Sequence, residues 1–130
     1  MAFEQPLFQI SRVCGTVSLA TKQYHFVKLH TDGTVLICAA ATDRPIGVLQ
    51  NAPAVGEEAT IMVIGISKVS SDAALAIDVA IGPSSDGQAD AKTVTTDATE
   101  YVCGRVLTAS LAAAGLVTAL IDCMAPHRAA

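Results

Sequence analysis

The side chains that could do chemistry in this 130-residue chain are few and far apart. Cys14, Cys38, Cys103 and Cys123 contain no Cys-x-x-Cys pair, and His25, His30 and His127 lack the close spacing from which zinc sites are assembled. His25 and His30 would face opposite sides of any continuous strand. No metal and no cofactor is therefore expected. A nucleophilic thiol is the main catalytic option: Cys103, in Val102-Cys103-Gly104-Arg105, would need His25 or His30 as base and an Asp to orient it. A thiol buried in a strand stays protonated without an electropositive neighbour, so residue type alone does not make it reactive. The segment Gly82-Pro83-Ser84-Ser85-Asp86-Gly87 has neither the lysine nor the strand-to-helix setting of a phosphate loop. Adjacent Glu57 and Glu58 point to opposite faces of a strand. No catalytic residue emerges, and the chain is expected not to be an enzyme.

The elements that carry these side chains read as β-structure. Val and Ile total 22 against 10 Leu, and 12 Thr add further β-branched character, a balance suited to pleated sheets. Strands are expected near Tyr24 to Leu29, Val35 to Ala39, Pro45 to Leu49, Ala59 to Ile64, Ile66 to Val69, Val79 to Ile81, Gln88 to Lys92, Tyr101 to Thr108 and Leu116 to Asp122. Their spacing of roughly 8 to 12 residues argues for a small barrel or sandwich. Thr31-Asp32-Gly33-Thr34 and Ser84-Ser85-Asp86-Gly87 read as tight hairpin turns with Gly where positive φ is needed, and Gly65 reads as a turn between two strands. Ala109 to Ala114 is the helical candidate, one or two turns ending at Gly115, and Ala73 to Ile77 could form a second short turn. In the last strand Val117, Ala119 and Ile121 share one face, which leaves Leu120 on an outer face that an interface could use.

The run from Pro45 to Val69, PIGVLQNAPAVGEEATIMVIGISKV, resembles the signature of a family of small tailed-bacteriophage head proteins, the capsid decoration or head cement proteins. The resemblance extends through Val27-Lys28-Leu29, Thr31-Asp32-Gly33-Thr34-Val35, Asp86-Gly87, Tyr101-Val102, Gly104-Arg105-Val106-Leu107 and Gly115-Leu116-Val117, covering about residues 24 to 123. Ala76-Ile77-Asp78 departs from it where a Gly-Asp turn is common. The resemblance implies a mainly β fold, a small β-barrel or sandwich of β-tulip type. It further implies a structural virion protein on the outer capsid surface, made in the host cytoplasm, whose partners are the major capsid protein and itself, as a homotrimer at three-fold and quasi-three-fold positions. Its task there would be to cement adjacent capsomers of the expanded, DNA-filled head.

Composition is compatible with that role. Charged residues make up 15%, against about 25% in typical soluble domains, with 52% apolar residues and a mean hydropathy of +0.49. Two readings stand beside each other: a surface largely covered by other subunits, or an alanine-rich chain with ordinary exposed methyls. No apolar run is long enough to span a bilayer, and a net charge of −4 without a basic stripe argues against nucleic acid as a partner. Residues 1–20 are read as an extended arm and 21–130 as one β-rich decoration domain. The arm, with Phe3, Leu7, Phe8 and Ile10, is open to two readings: a segment laid on a neighbouring subunit or the shell, adding a strand or filling a groove, or the first strand of its own domain or a frayed terminus. Candidate capsid or inter-subunit contacts are Phe3, Leu7, Phe8, Ile10, Arg44, Pro45, Asn51 and Arg105, with Arg44 and Arg105 expected to supply polar contacts. The alternatives are a small oligonucleotide-binding barrel, in which Tyr24 and Phe26 would stack bases beside Lys28, and the cysteine-dependent enzyme considered above.

Overall fold

The computed structural model describes residues 4–110 and 112–130. Among them are eleven strands and no helix. In chain order they are β1 (Gln5–Val13), β2 (Phe26–Leu29), β3 (Val35–Ile37), β4 (Gly47–Leu49), β5 (Glu58–Ser70) and β6 (Ala80–Pro83). Then come β7 (Ala89–Ala91), β8 (Tyr101–Val102), β9 (Gly104–Thr108), β10 (Leu116–Asp122) and β11 (His127–Arg128). Nine strands form one sheet in the order β3-β2-β4-β5-β10-β9-β6-β7, with β1 added on β5, and β8 pairs with β11 separately. The mainly β barrel or sandwich expected from the sequence is the fold observed.

β5 is 13 residues long and organises the rest. β4 pairs with Ile61 and Met62, β10 pairs from Ile64 to Ser70, and β1 runs antiparallel from Glu58 to Ile66. A strand has only two edges, so β1 takes one edge along its length while β4 and β10 share the other in succession. The handover occurs at an irregularity, where Phe8 and Gln9 of β1 oppose Ile64 and Met62 and leave Val63 unopposed. Two curls result. One, β1-β5-β4-β2-β3, returns on itself through a parallel bridge between Cys14 and Val35; the other, β5-β10-β9-β6-β7, returns through a parallel bridge between Ser71 and Ala89.

Strand alternation then fills two cores. Val27, Val35, Leu49, Ala59 and Ile61 gather with Cys14 and Leu19 in one, while Phe26, Val48, Val63, Val69, Val117, Ala119 and Ile121 gather in the other. Neighbours in one strand, such as Phe26 with Val27 and Val48 with Leu49, therefore serve different cores, and each fully buried large side chain contributes about 1.5–3 kcal/mol. No buried side-chain nitrogen or oxygen among the described residues lacks a hydrogen bond.

Several local expectations are corrected. Gly65 does not turn the chain: at φ +142 it sits inside β5, and a Cβ there would lie 2.8 Å from both the Gln5 carbonyl and the Leu7 nitrogen of β1. The strands expected on either side of it are one. Tyr101 to Thr108 is divided at Cys103 into β8 and β9. The helical candidate is a bend and turn over the described part of Ala109 to Ala114, tied by Ser71 Oγ to the Ala112 and Gly115 carbonyls; Leu111 lies outside the described residues. Ala73 to Ile77 carries a single bridge, Leu75 to Ser110. Both hairpin turns form as expected, with Gly33 at φ +86 and Gly87 at φ +82. The N-terminal segment is extended and pairs with β5 of its own chain.

Gly47 leaves no room for a side chain between β4 and β5. A Cβ there would meet the Met62 carbonyl oxygen at 2.4 Å and Ile61 Cγ2 at 2.5 Å. Gly47→Ala is therefore expected to cost at least about 2 kcal/mol in urea unfolding, because backbone on both strands must shift. An unchanged midpoint would mean that β4 is free to move away from β5.

Candidate interface surface

β1 presents unusual surface for a paired strand. Every side chain from Gln5 to Val13 is exposed except half-buried Ile10, with Leu7 at 76% and Phe8 at 47% exposure. Its inner edge is taken by β5, and among the described residues no strand pairs with its outer edge from Gln5 to Ser11. Farther along, Arg12 donates to the Gly33 carbonyl at 3.0 Å and Cys14 bridges Val35, so the strand is anchored at one end and open at the other. Pro6 offers no N–H, which limits indiscriminate edge pairing. Ile10 packs against both cores, and Phe3 lies outside the described residues.

The remaining candidates fall in three separate places. Arg105 belongs to a cross-strand row, Gln5–Ile66–Leu120–Arg105–Ala80, on the outer face of the second curl. Its guanidinium pairs with Asp78 of the same chain, and beside it lies a cleft of about 350 Å³ lined by Gly104, Leu120, Asp122 and His127 among others. Arg44 is exposed and Pro45 buried at a second cleft. Asn51 is an internal clamp: its Nδ2 donates to the Glu58 carbonyl at 2.9 Å and its Oδ1 accepts from the Thr60 N–H at 3.0 Å, which fixes the loop before β5. Sequence reasoning anticipated exposed Leu120, but it missed exposed Leu29, Ile77, Val94 and Met124. Ile77 lies within Ala76-Ile77-Asp78, the stretch that departs from the decoration-protein pattern, and that departure is the signal that could have drawn attention to it.

Among the described residues, the cysteines and histidines considered for catalysis sit in settings that do not activate them. Cys38, Cys103 and Cys123 are all buried in the larger core, and Cys14 lies in the smaller one. Burial pushes the Cys38 thiol well up, with Asp43 adding to the effect, and burial beside Cys123 does the same to Cys103. This is the reverse of the electropositive, accessible setting that makes a thiolate. His25, the proposed base, is lowered by its own burial, and its Nδ1 lies 3.1 Å from the Gln23 carbonyl oxygen. His30 faces Asp32, whose carboxyl is held at about 2 by the Thr34 hydroxyl and N–H. Among the described residues no three His, Cys, Asp or Glu side chains converge to hold a metal. Tyr24 lies under the Lys68 ammonium at 5.8 Å and Phe26 is fully buried, so the pair expected to stack bases is not a common exposed platform.

Two measurements follow. A thiol-titrating disulfide reagent at pH 8 is expected to react with none of the four cysteines until denaturant is added; one fast thiol in the folded chain would reverse this reading of the core. Asp43 is the second case. Burial raises its carboxyl, but the Lys28 ammonium at 2.9 Å and the Ala39 and Ala40 N–H groups outweigh that and hold it below its ordinary value. Its stabilisation is therefore full above the unfolded value of about 4 and lost as pH falls through the lower folded value. Asp43→Asn is expected to destabilise by about 1–2 kcal/mol between pH 5 and 8, with the gap to wild type closing in more acidic buffer.

Comparison with known protein families matches none, and no curated protein matches the chain. Among solved structures, the fold is similar to the crystal structure of the head fiber gp8.5 N base in bacteriophage phi29, with a TM-score of 0.65 at 15% identity. The match covers 89% of this chain and 96% of that one.

Proposed function

We propose that this chain is a structural protein of a phage virion that binds the outer surface of the head and cements adjacent capsomers. The observation that carries the reading is the near full-length fold likeness to the base of a phage head fiber, at an identity where fold is what is shared. The run from Pro45 to Val69 supports it separately, since its residues resemble the signature of head decoration proteins. In this reading the major capsid protein is the partner, and the chain sits on the head as a homotrimer at three-fold and quasi-three-fold positions.

The mechanism is thermodynamic. A protein that binds the expanded lattice and not the separated subunits stabilises that lattice by mass action. Contacts that are individually modest add through repetition over a symmetric shell. Leu7 and Phe8 supply exposed apolar area beside an open strand edge, which suits strand addition or groove filling by a neighbour. Phe3, Ile10, Arg44, Pro45, Asn51 and Arg105 complete the candidate contacts, although Ile10 and Asn51 also have internal duties.

Co-sedimentation of the purified chain with expanded, undecorated heads of the phage that encodes it is expected to give saturable binding. Unexpanded procapsids are expected to give none. The Leu7→Ser/Phe8→Ser double variant, whose side chains are exposed, is expected to keep its fold and bind expanded heads roughly tenfold more weakly. Absence of wild-type binding to either particle, or salt-sensitive binding to single-stranded DNA instead, would overturn the proposal.

A further inference from the structure

The cleft beside Arg44 lies at the seam of the two curls. Leu29 at the end of β2 and Arg44, Pro45 and Ile46 before β4 come from the first curl; Cys123 and Met124 follow β10 of the second. Its volume is about 380 Å³. Pro45 and Cys123 are buried, while Leu29 at 47% and Met124 at 62% exposure flank the opening. The Met124 N–H donates to Asp122 Oδ1 at 3.2 Å, which fixes the turn that carries it, and a methionine side chain adapts to the shape of what it covers.

Arg44 and Lys22 differ from the other lysines and arginines. Lys28, Lys68, Lys92 and Arg105 face carboxylates, Arg12 donates to a carbonyl, and Arg128 lies over the Tyr101 ring at 5.4 Å. Among the described residues the Arg44 side chain has no ion pair, hydrogen bond or ring contact, and Lys22, whose side chain has none either, does not line this cleft. The carboxylate next to it in sequence is engaged elsewhere, since Asp43 Oδ2 accepts from Lys28 Nζ and from the Ala39 and Ala40 N–H groups. An uncompensated guanidinium in a cleft whose other lining side chains are apolar is complementary to a carboxylate next to an apolar side chain.

We infer that this cleft is a docking site for a protein segment that offers an Asp or Glu side chain beside a large aliphatic or aromatic one. The inference rests on the head-binding reading, and the segment then belongs to the capsid protein. The apolar side chain fills the space between Leu29 and Met124 while the acid meets Arg44. Centrally placed arginines and well-packed apolar anchors are where interface energy concentrates.

The test titrates expanded heads with wild type, Arg44→Glu, Arg44→Lys and Met124→Ser, with thermal unfolding of each variant as the control for folding. Arg44→Glu is expected to bind at least tenfold more weakly, Arg44→Lys to fall between it and wild type because an ammonium lacks the planar fork, and Met124→Ser to lose severalfold. All are expected to melt with wild type. If wild type binds heads and Arg44→Glu binds equally, the cleft is not the docking site and head binding stands. If wild type does not bind heads, both readings fall together. If Arg44→Glu changes binding to single-stranded DNA and not to heads, the partner is a nucleic acid and the inference is overturned.

Discussion

A β-strand has two edges, and β5 has three partners. That excess is accommodated by length and by two register shifts against β1: residues 58–70 are long enough for β4 and β10 to follow one another along a single edge while β1 covers the other. The backbone must shift its hydrogen-bonding phase at the handover, which it does where Val63 stands unopposed by β1 and its carbonyl accepts from Cys123 instead. Gly65, two residues later, lets β1 stay close through the distortion, because any side chain there would collide with β1 backbone. The two curls, the two cores and the seam between them all descend from this strand.

The seam needs polar joints as well as apolar packing, and they are short-range and specific. The Phe26 N–H donates to the Gly87 carbonyl at 2.7 Å and the Ser70 N–H to the Tyr24 carbonyl at 2.9 Å, so backbone from one curl completes backbone from the other. Within the second curl, buried Lys92 donates to the Pro83 carbonyl and to Glu100, which holds the loop between β7 and β8 against β6. Ser71 donates to the Ser110 hydroxyl and to the Ala112 and Gly115 carbonyls and so closes the turn before β10. Burial without partners would cost each of these groups more than its bond contributes, so the bonds across the seam fix how the curls meet and those within the second curl fix its loops.

Most of the strands were legible because their cues are local: β-branched runs, and Gly at positive φ in the two hairpins. What was not legible depends on long-range pairing. Gly65 carries the residue type of a turn, yet β1, more than fifty residues earlier, turns it into a mid-strand bulge position. The Ala109 to Ala114 segment has helical propensity, but Ser110 and Ser71 offer its backbone competing bonds, and six residues cannot nucleate alone. The candidate surface was legible in part. Leu7, Phe8 and Leu120 follow from alternation and composition, and Arg44 and Pro45 stand beside the signature, whereas the cleft they line joins two segments nearly eighty residues apart, a pairing that no local pattern carries. Asn51 reads in the signature like a contact, and its amide is in fact occupied by the loop it clamps.

The sparse charge of the chain is better understood once its partners are traced. Of eight lysines and arginines, six are tied to groups within the chain, and the net charge is −4. Such a surface has little long-range field with which to gather an anionic polymer, and exposed pairs in it are largely screened at physiological salt. What it offers instead is apolar area in several places: Leu7 and Phe8 at an open edge, Leu116 and Leu120 on the outer sheet face, and Leu29 and Met124 at the seam. Separated small patches suit a protein held from several directions better than one that closes around a single ligand. A molecule held in that way has no need of a strong individual contact, because each patch engaged raises the effective concentration of the next.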